Sequence, residues 1–230
     1  MQIFPCVFTG PMKYFFLLAA LLLISPSAAP IPRVVAADPA LEQLIGALQN
    51  RYLNLTSFSG EFTQLYLAPG EKLRRETGRV LLKKPGRMRW DYHAPEVKLY
   101  LSDGRVVIEY VPAEQLATRI RVNEADDIHT PFLFLLGRGN LRRDFRLIEF
   151  AVEAPINAGN RVLRLAPKRS QNFRELFIEL TPQQNLARLS FVEASGARTD
   201  FIFNKVRENI PIEDSMFVFS PPPGVRVVTQ

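Results

Sequence analysis

Alternation of apolar and polar positions governs most of this chain. It is sharpest after Pro85-Gly86, where Met88, Trp90 and Tyr92 alternate with Arg87, Arg89, Asp91 and His93. A period of two predicts a strand with one apolar and one wet face. Before the turn, Val80 and Leu82 alternate with Arg79, Leu81 and Lys83, so Pro85-Gly86 reads as the bend of a hairpin. A three-residue loop, Pro85 to Arg87, sets Leu82 opposite Trp90 and Val80 opposite Tyr92; a two-residue loop sets Leu81 opposite Trp90 instead. Two more strands follow, one carrying Val97, Leu99 and Leu101 and the other, after Ser102-Asp103-Gly104, carrying Val106, Ile108 and Tyr110. The expected product is an antiparallel meander whose large apolar face holds the only tryptophan.

Upstream, Asp38-Pro39 supplies an N-cap and a first-turn proline. Leu41, Leu44, Ile45, Leu48, Tyr52 and Leu55 then recur at helical spacing, which predicts an amphipathic helix. A strand follows with Phe58, Phe62, Gln64 and Tyr66, ending at Pro69-Gly70, and then a long strand from about Lys72 to Lys84. Downstream, Leu116 to Val122 alternates as a sixth strand. The pattern changes at Thr130-Pro131, a helix start that Gly137 stops, with Phe132-Leu133-Phe134-Leu135-Leu136 between them. A helix apolar on every side must be buried all round or must cover something apolar. Strands resume at Phe145–Glu153, Arg161–Pro167, Phe173–Thr181, Leu186–Glu193 and Thr199–Val206, before a tail with Phe217-Val218-Phe219 and Pro221-Pro222-Pro223-Gly224. The pattern predicts a mainly β (α+β) protein of about eleven strands, forming one strongly curved antiparallel sheet or barrel.

The first 37 residues stand outside this scheme. Tyr14 to Ile24 is an unbroken apolar run behind Lys13, too short to span a bilayer and suited to a signal-peptide core. Val35-Ala36-Ala37 before Asp38 fits a cleavage site; Ala29 is a second candidate, and Met12 a second possible start. The expected organisation is a cleaved signal peptide over 1–37 and one exported domain over 38–230. An uncleaved N-terminal anchor is the competing reading.

Without residues 1–37, which hold Lys13 and Arg33 and no acid, the formal charge falls from +6 to +4. The excess is spread over many strands, which argues for solubility rather than nucleic-acid binding. Cys6 is the only cysteine and precedes the apolar run, so it is not a lipid-attachment cysteine, and no disulfide or thiol chemistry follows. No Walker loop, HExxH or G-x-S-x-G pattern occurs, and Gly137-Arg138-Gly139 lacks the third glycine of a dinucleotide fingerprint. His93 and His129 read as surface residues. No catalytic residue, metal site or cofactor is expected.

Several segments in order resemble one family. They are Lys84-Pro85, Arg89-Trp90-Asp91-Tyr92, Pro95, Ser102-Asp103-Gly104, Tyr110, Gln115-Ala117, Thr130-Pro131-Phe132, Leu165-Pro167-Lys168 and the closing Phe217-Phe219-Pro221-Pro222-Gly224. Together, from about Leu41 to Val228, the chain resembles the outer-membrane lipoprotein carrier proteins (LolA). The resemblance implies a single unclosed antiparallel β-barrel with a lid of short α-helices over an apolar cavity. It also implies a monomeric, non-enzymatic periplasmic carrier of acylated lipoproteins, loaded by an inner-membrane lipoprotein-releasing ABC transporter and unloaded at an outer-membrane lipoprotein receptor. Where the family usually has a lid-holding Arg this chain has Lys84, which has three donors but no planar fork. On this reading the acyl cavity is lined by Leu44, Leu48, Phe62, Val80, Leu82, Met88, Trp90, Tyr92, Leu99, Leu101 and Ile108, with Phe132, Leu135 and Leu136 as lid residues and Lys84 as latch. The alternatives are a periplasmic carrier or sensor of other lipids or glycolipids on the same half-barrel, a regulatory domain binding an anti-sigma factor, and a hydrolase.

Overall fold

In the computed structural model, residues 38–121, 139–169 and 173–229 are described. The chain opens with helix α1 (Pro39–Asn54), capped as the sequence predicts, with Asp38 accepting from Ala40 N at 2.9 Å. Six strands follow: β1 (Ser57–Leu67), β2 (Arg74–Lys83), β3 (Arg87–Ala94), β4 (Lys98–Ser102), β5 (Val106–Val111) and β6 (Leu116–Arg121). After a one-turn helix, α2 (Leu141–Asp144), come β7 (Phe145–Phe150), β8 (Arg161–Pro167), β9 (Phe173–Leu180), β10 (Leu186–Glu193) and β11 (Arg198–Glu208). A last short strand, β12 (Arg226–Thr229), lies in the tail, where the sequence pattern predicts none.

All twelve strands form one sheet in the order β12-β6-β5-β4-β3-β2-β1-β11-β10-β9-β8-β7. Two meanders are thus joined through the β1–β11 pair, and among the described residues β12 and β7 are the two edges of an unclosed barrel. Among the described residues only β12 on β6 is parallel. The sheet has bulges, including one on β11 opposite Ser59–Glu61 of β1 and one on β3, with His93 as the extra residue, opposite Thr77–Gly78 of β2. Gly78 is obligatory there, since a Cβ would stand 2.1 Å from Asp91 O.

The β2–β3 register differs from both expected ones. Val80 pairs with Trp90, Leu82 with Met88 and Lys83 with Arg87, so the loop is Lys84-Pro85-Gly86. Relative to the expected three-residue loop the strands are displaced by two residues, which leaves every side chain on its expected face.

The sheet has apolar clusters on both faces. The largest, on the concave side, joins Leu44, Ile45, Leu48 and Tyr52 of α1 to Phe62, Val80, Leu82, Met88, Trp90, Tyr92, Phe201 and Phe203. A smaller one, on the convex side, contains Leu81, Leu101, Ile108 and Ala117 and is covered by Phe217, and a third, of Val162, Phe177 and Val192, lies on the same side of β8–β10. Phe217 belongs to a strap, residues 209–225, that leaves β11, crosses the convex face and re-enters the sheet as β12. Charged residues of the face expected to be wet hold this strap. Lys83 Nζ donates to Ile212 O at 2.6 Å and pairs with Asp214, Arg87 lies 3.4 Å from Asp214, and Arg89 donates to Met216 O at 3.0 Å.

Candidate ligand-binding face

The concave face is built from packed rings, with Phe62 edge to face on Trp90 and Tyr92 and Trp90 tilted on Phe201. Phe62 lies 5.0 Å from Trp90 and 4.9 Å from Tyr92, and Trp90 lies 5.2 Å from Phe201. Such pairs add about 0.5–1.5 kcal/mol each to their apolar burial and fix the rings in place. The wall is therefore rigid, wide and without formal charge at its centre. Helix α1 sits on it, with Leu48 and Tyr52 almost wholly buried.

Helix α1 is held by side chains along its length. Arg142 pairs with Glu42 near its start. Midway, Gln49 Nε2 donates to Gly139 O at 3.3 Å while Gln49 Oε1 accepts from Leu141 N at 2.7 Å, so one amide grips the segment leading into α2. Arg51 pairs with Glu208 at 2.8 Å. At the C-terminus Lys84 Nζ donates to Tyr52 O at 2.6 Å and Leu53 O at 2.8 Å. These are carbonyls that the helix itself cannot satisfy, at the negative end of its dipole, where a cation is favoured. Partial burial of the ammonium lowers the Lys84 pKa. Burial, reinforced by Glu208, pushes the Tyr52 hydroxyl up, so it stays protonated.

Of the residues expected to line a cavity, Leu44, Leu48, Phe62, Val80, Leu82, Met88, Trp90 and Tyr92 gather in the concave cluster. Leu99, Leu101 and Ile108 do not: they belong to or pack on the convex cluster. Pairing explains this correction. Leu101 is opposite Arg89 and Leu99 opposite Asp91, so the apolar phase of β4 and β5 falls on the other side from that of β3. Phe132, Leu135 and Leu136 lie outside the described residues.

Sequence reasoning missed Ile45, Tyr52, Phe201 and Phe203 as members of this face. For the first two the signal was their helical spacing with Leu44 and Leu48; for the others it was alternation in β11. It also missed a polar margin formed by Gln64, Glu76, Lys98, Tyr100 and Glu109, which takes the places opposite and beside Tyr92 and Trp90. Burial, followed by Glu76, Tyr100 and Glu109, raises the Tyr92 pKa; burial, followed by the Glu109 hydrogen bond and charge, raises that of Tyr100. Both hydroxyls therefore remain donors.

Comparison with known proteins agrees with this geometry. A family model described as outer membrane lipoprotein carrier protein LolA matches residues 53–220. An outer-membrane lipoprotein carrier protein of Chromohalobacter salexigens is 28% identical over 179 residues, covering 77% of this chain and 82% of that protein. One from Nitrosomonas europaea is 26% identical over 211 residues, covering 90% and 96%. Among solved structures, an uncharacterized conserved protein from Thermus thermophilus superposes with a TM-score of 0.52 at 12% identity, covering 82% of this chain and 99% of that one. This last likeness concerns the fold alone.

Proposed function

The chain belongs to the outer membrane lipoprotein carrier protein family, LolA, and from that premise we propose that it carries acylated lipoproteins through the periplasm with their acyl chains on the concave face. Residues 38–230 form the carrier domain, released by cleavage before Asp38. Cargo arrives from an inner-membrane ABC transporter and leaves at an outer-membrane receptor. The observation that carries the reading is the seating of α1: an amphipathic helix covers an aromatic wall and is fastened at its end by one lysine.

Magnitudes support displacement of the helix by cargo. Each buried Leu or Ile of α1 contributes about 1.5–3 kcal/mol by leaving water. Leu44, Ile45 and Leu48, with the Tyr52 ring, therefore supply on the order of 10 kcal/mol before the entropy of ordering the helix is subtracted. An acyl chain gains about 0.8 kcal/mol per buried methylene, so a single chain of ~16 carbons is of comparable worth. More than one chain outcompetes the helix, while a receptor that withdraws the chains lets α1 return. Apolar contact is non-directional, so lipoproteins with different protein parts share one site. Empty and loaded forms exchange one cover for another, and closure of α1 subtracts from cargo affinity.

The test is titration of the mature protein with a triacylated peptide while Trp90 emission is followed. Trp90 is 3% exposed and lies in the wall, so its emission shifts as chains replace α1. Trp90→Ala weakens binding measured independently by calorimetry. Unchanged emission at saturation, with no heat of binding, contradicts the reading.

A further inference from the structure

The polar margin noted above is out of keeping with a purely greasy site. It lies at the end of the β1–β4 strands remote from the Lys84 turn. Tyr92 Oη donates to Gln64 Oε1 at 2.6 Å. Lys98 Nζ pairs with Glu76 Oε1 at 2.5 Å and stands 4.4 Å from the centre of the Tyr92 ring. Tyr100 Oη donates to Glu109 Oε1 at 2.7 Å, and the rings of Tyr92 and Tyr100 are 5.8 Å apart. Tyr92 joins the two zones, since its ring also packs on Phe62.

Stability does not account for this array. The Lys98 and Glu76 side chains are only 19% and 21% exposed, and withdrawing such a pair from water cancels much of its attraction. An apolar pair there would extend the wall at no cost. What the array offers is chemistry: ammonium and amide donors beside carboxylate acceptors, within one or two residues of the acyl-binding rings. Its charge is lopsided. Lys98 answers Glu76, whereas Glu109 is bonded to a neutral hydroxyl and, among the described residues, pairs with no cation. Arg74, further out on β2, is exposed and stacked on Tyr66 at 4.3 Å.

We propose that this margin is a linkage subsite that accepts the uncharged ester and amide groups of an acylated cysteine and disfavours the phosphate of a glycerophospholipid. The inference rests on the carrier reading above. Ester carbonyls accept from the N–H groups that the Lys98 ammonium does not give to Glu76, or from the Gln64 amide, whose oxygen alone is used by Tyr92, and an amide N–H donates to Glu109. A phosphate placed there faces the Glu109 carboxylate at short range in a partly dry setting, where like charges repel strongly. A periplasmic carrier with such a margin can dip its apolar face at a membrane without filling with phospholipid.

Two ligands with the same chains test it: uncharged N-acetyl-S-(2,3-dioctanoyloxypropyl)cysteine amide, and dioctanoylphosphatidic acid, each titrated below its micelle concentration. The wild-type protein binds the first at least about tenfold more tightly. Glu76→Gln with Glu109→Gln lowers that ratio to under about threefold, chiefly by tightening the phosphate ligand, while Lys98→Met widens it. Equal binding of the two ligands by wild type, or preference for the phosphate, overturns the subsite and leaves the carrier reading standing. A wild-type preference that persists unchanged in the double Gln variant overturns the assignment to these residues. Binding of neither ligand overturns the carrier reading and the subsite together. The wild-type comparison needs no variant to fold.

Discussion

Lys83 and Lys84 are adjacent in sequence and fasten opposite covers. Lys83 reaches the strap on the convex face through Ile212 O and Asp214; Lys84 reaches α1 on the concave face through Tyr52 O and Leu53 O. The covers differ in how the backbone holds them. The strap is tethered at both ends by main-chain ladders, leaving β11 at one end and joining β6 through β12 at the other. Helix α1 runs directly into a strand only at its C-terminal end, and its remaining ties to the described fold are side-chain contacts. A cover bound by backbone on both sides is part of the sheet. A cover bound by side chains can be exchanged for something equally apolar. Under the proposed function, the convex cluster serves stability and the concave cluster binds the acyl chains.

The strongest way to break the comparison is Phe217→Ala. Phe217 is 2% exposed at the centre of the convex cluster, so its removal costs about 3–5 kcal/mol in urea unfolding while changing acyl-ligand affinity less than about threefold. A large affinity change with little loss of stability reverses the assignment of the faces.

Lys84→Leu acts the other way. It releases two charge-assisted bonds at a partly exposed site, so the closed form weakens and an acyl probe binds up to about tenfold more tightly, equivalent to ~1.4 kcal/mol. Release to an acceptor membrane slows accordingly. Lys84→Arg weakens binding, because a guanidinium fork holds the carbonyls better. Titration of the three proteins side by side decides it; equal or weaker binding by Lys84→Leu shows that Lys84 is not the latch of α1.

A smaller effect is expected from Gln49→Ala, which removes both bonds to the 139–141 segment, about 1 kcal/mol. The Leu141 amide then exchanges hydrogen faster, and an unchanged rate contradicts the coupling of α1 to that segment. The least effect belongs to Asp214. The hydrogen bond from Lys83, aided by the Arg87 and Lys83 charges, holds its pKa below the ordinary carboxylate value. Its contribution to the strap is full above that ordinary value and is lost as pH falls through the depressed one. Carboxyl NMR titration should find the depressed midpoint, and Lys83→Met should return it upward.

The concave wall was legible because parity survives error. A register two residues off still put Val80, Leu82, Met88, Trp90 and Tyr92 on one face. The α1 start was legible from Asp38-Pro39, whose capping is local. Which face β4 and β5 present was not, because alternation fixes parity within a strand and not its phase against a neighbour. Pairing of Leu101 with Arg89 is decided by the connection through Pro95 and by the strap that covers the result. The strap and β12 depend on contacts with residues far away in sequence, and β12 itself is short and largely exposed. The polar margin was hidden for a similar reason: Gln64, Glu76, Lys98 and Glu109 each look like ordinary surface residues until four strands bring them together.

The central claim is that α1 and acyl chains occupy the concave face in turn. Hydrogen exchange followed by mass spectrometry, with and without a saturating triacylated peptide, measures both covers in one experiment. Exchange across 39–54 should accelerate on binding while that across 212–219 stays as it was. Bound peptide with unchanged or slower exchange throughout α1 would contradict the account.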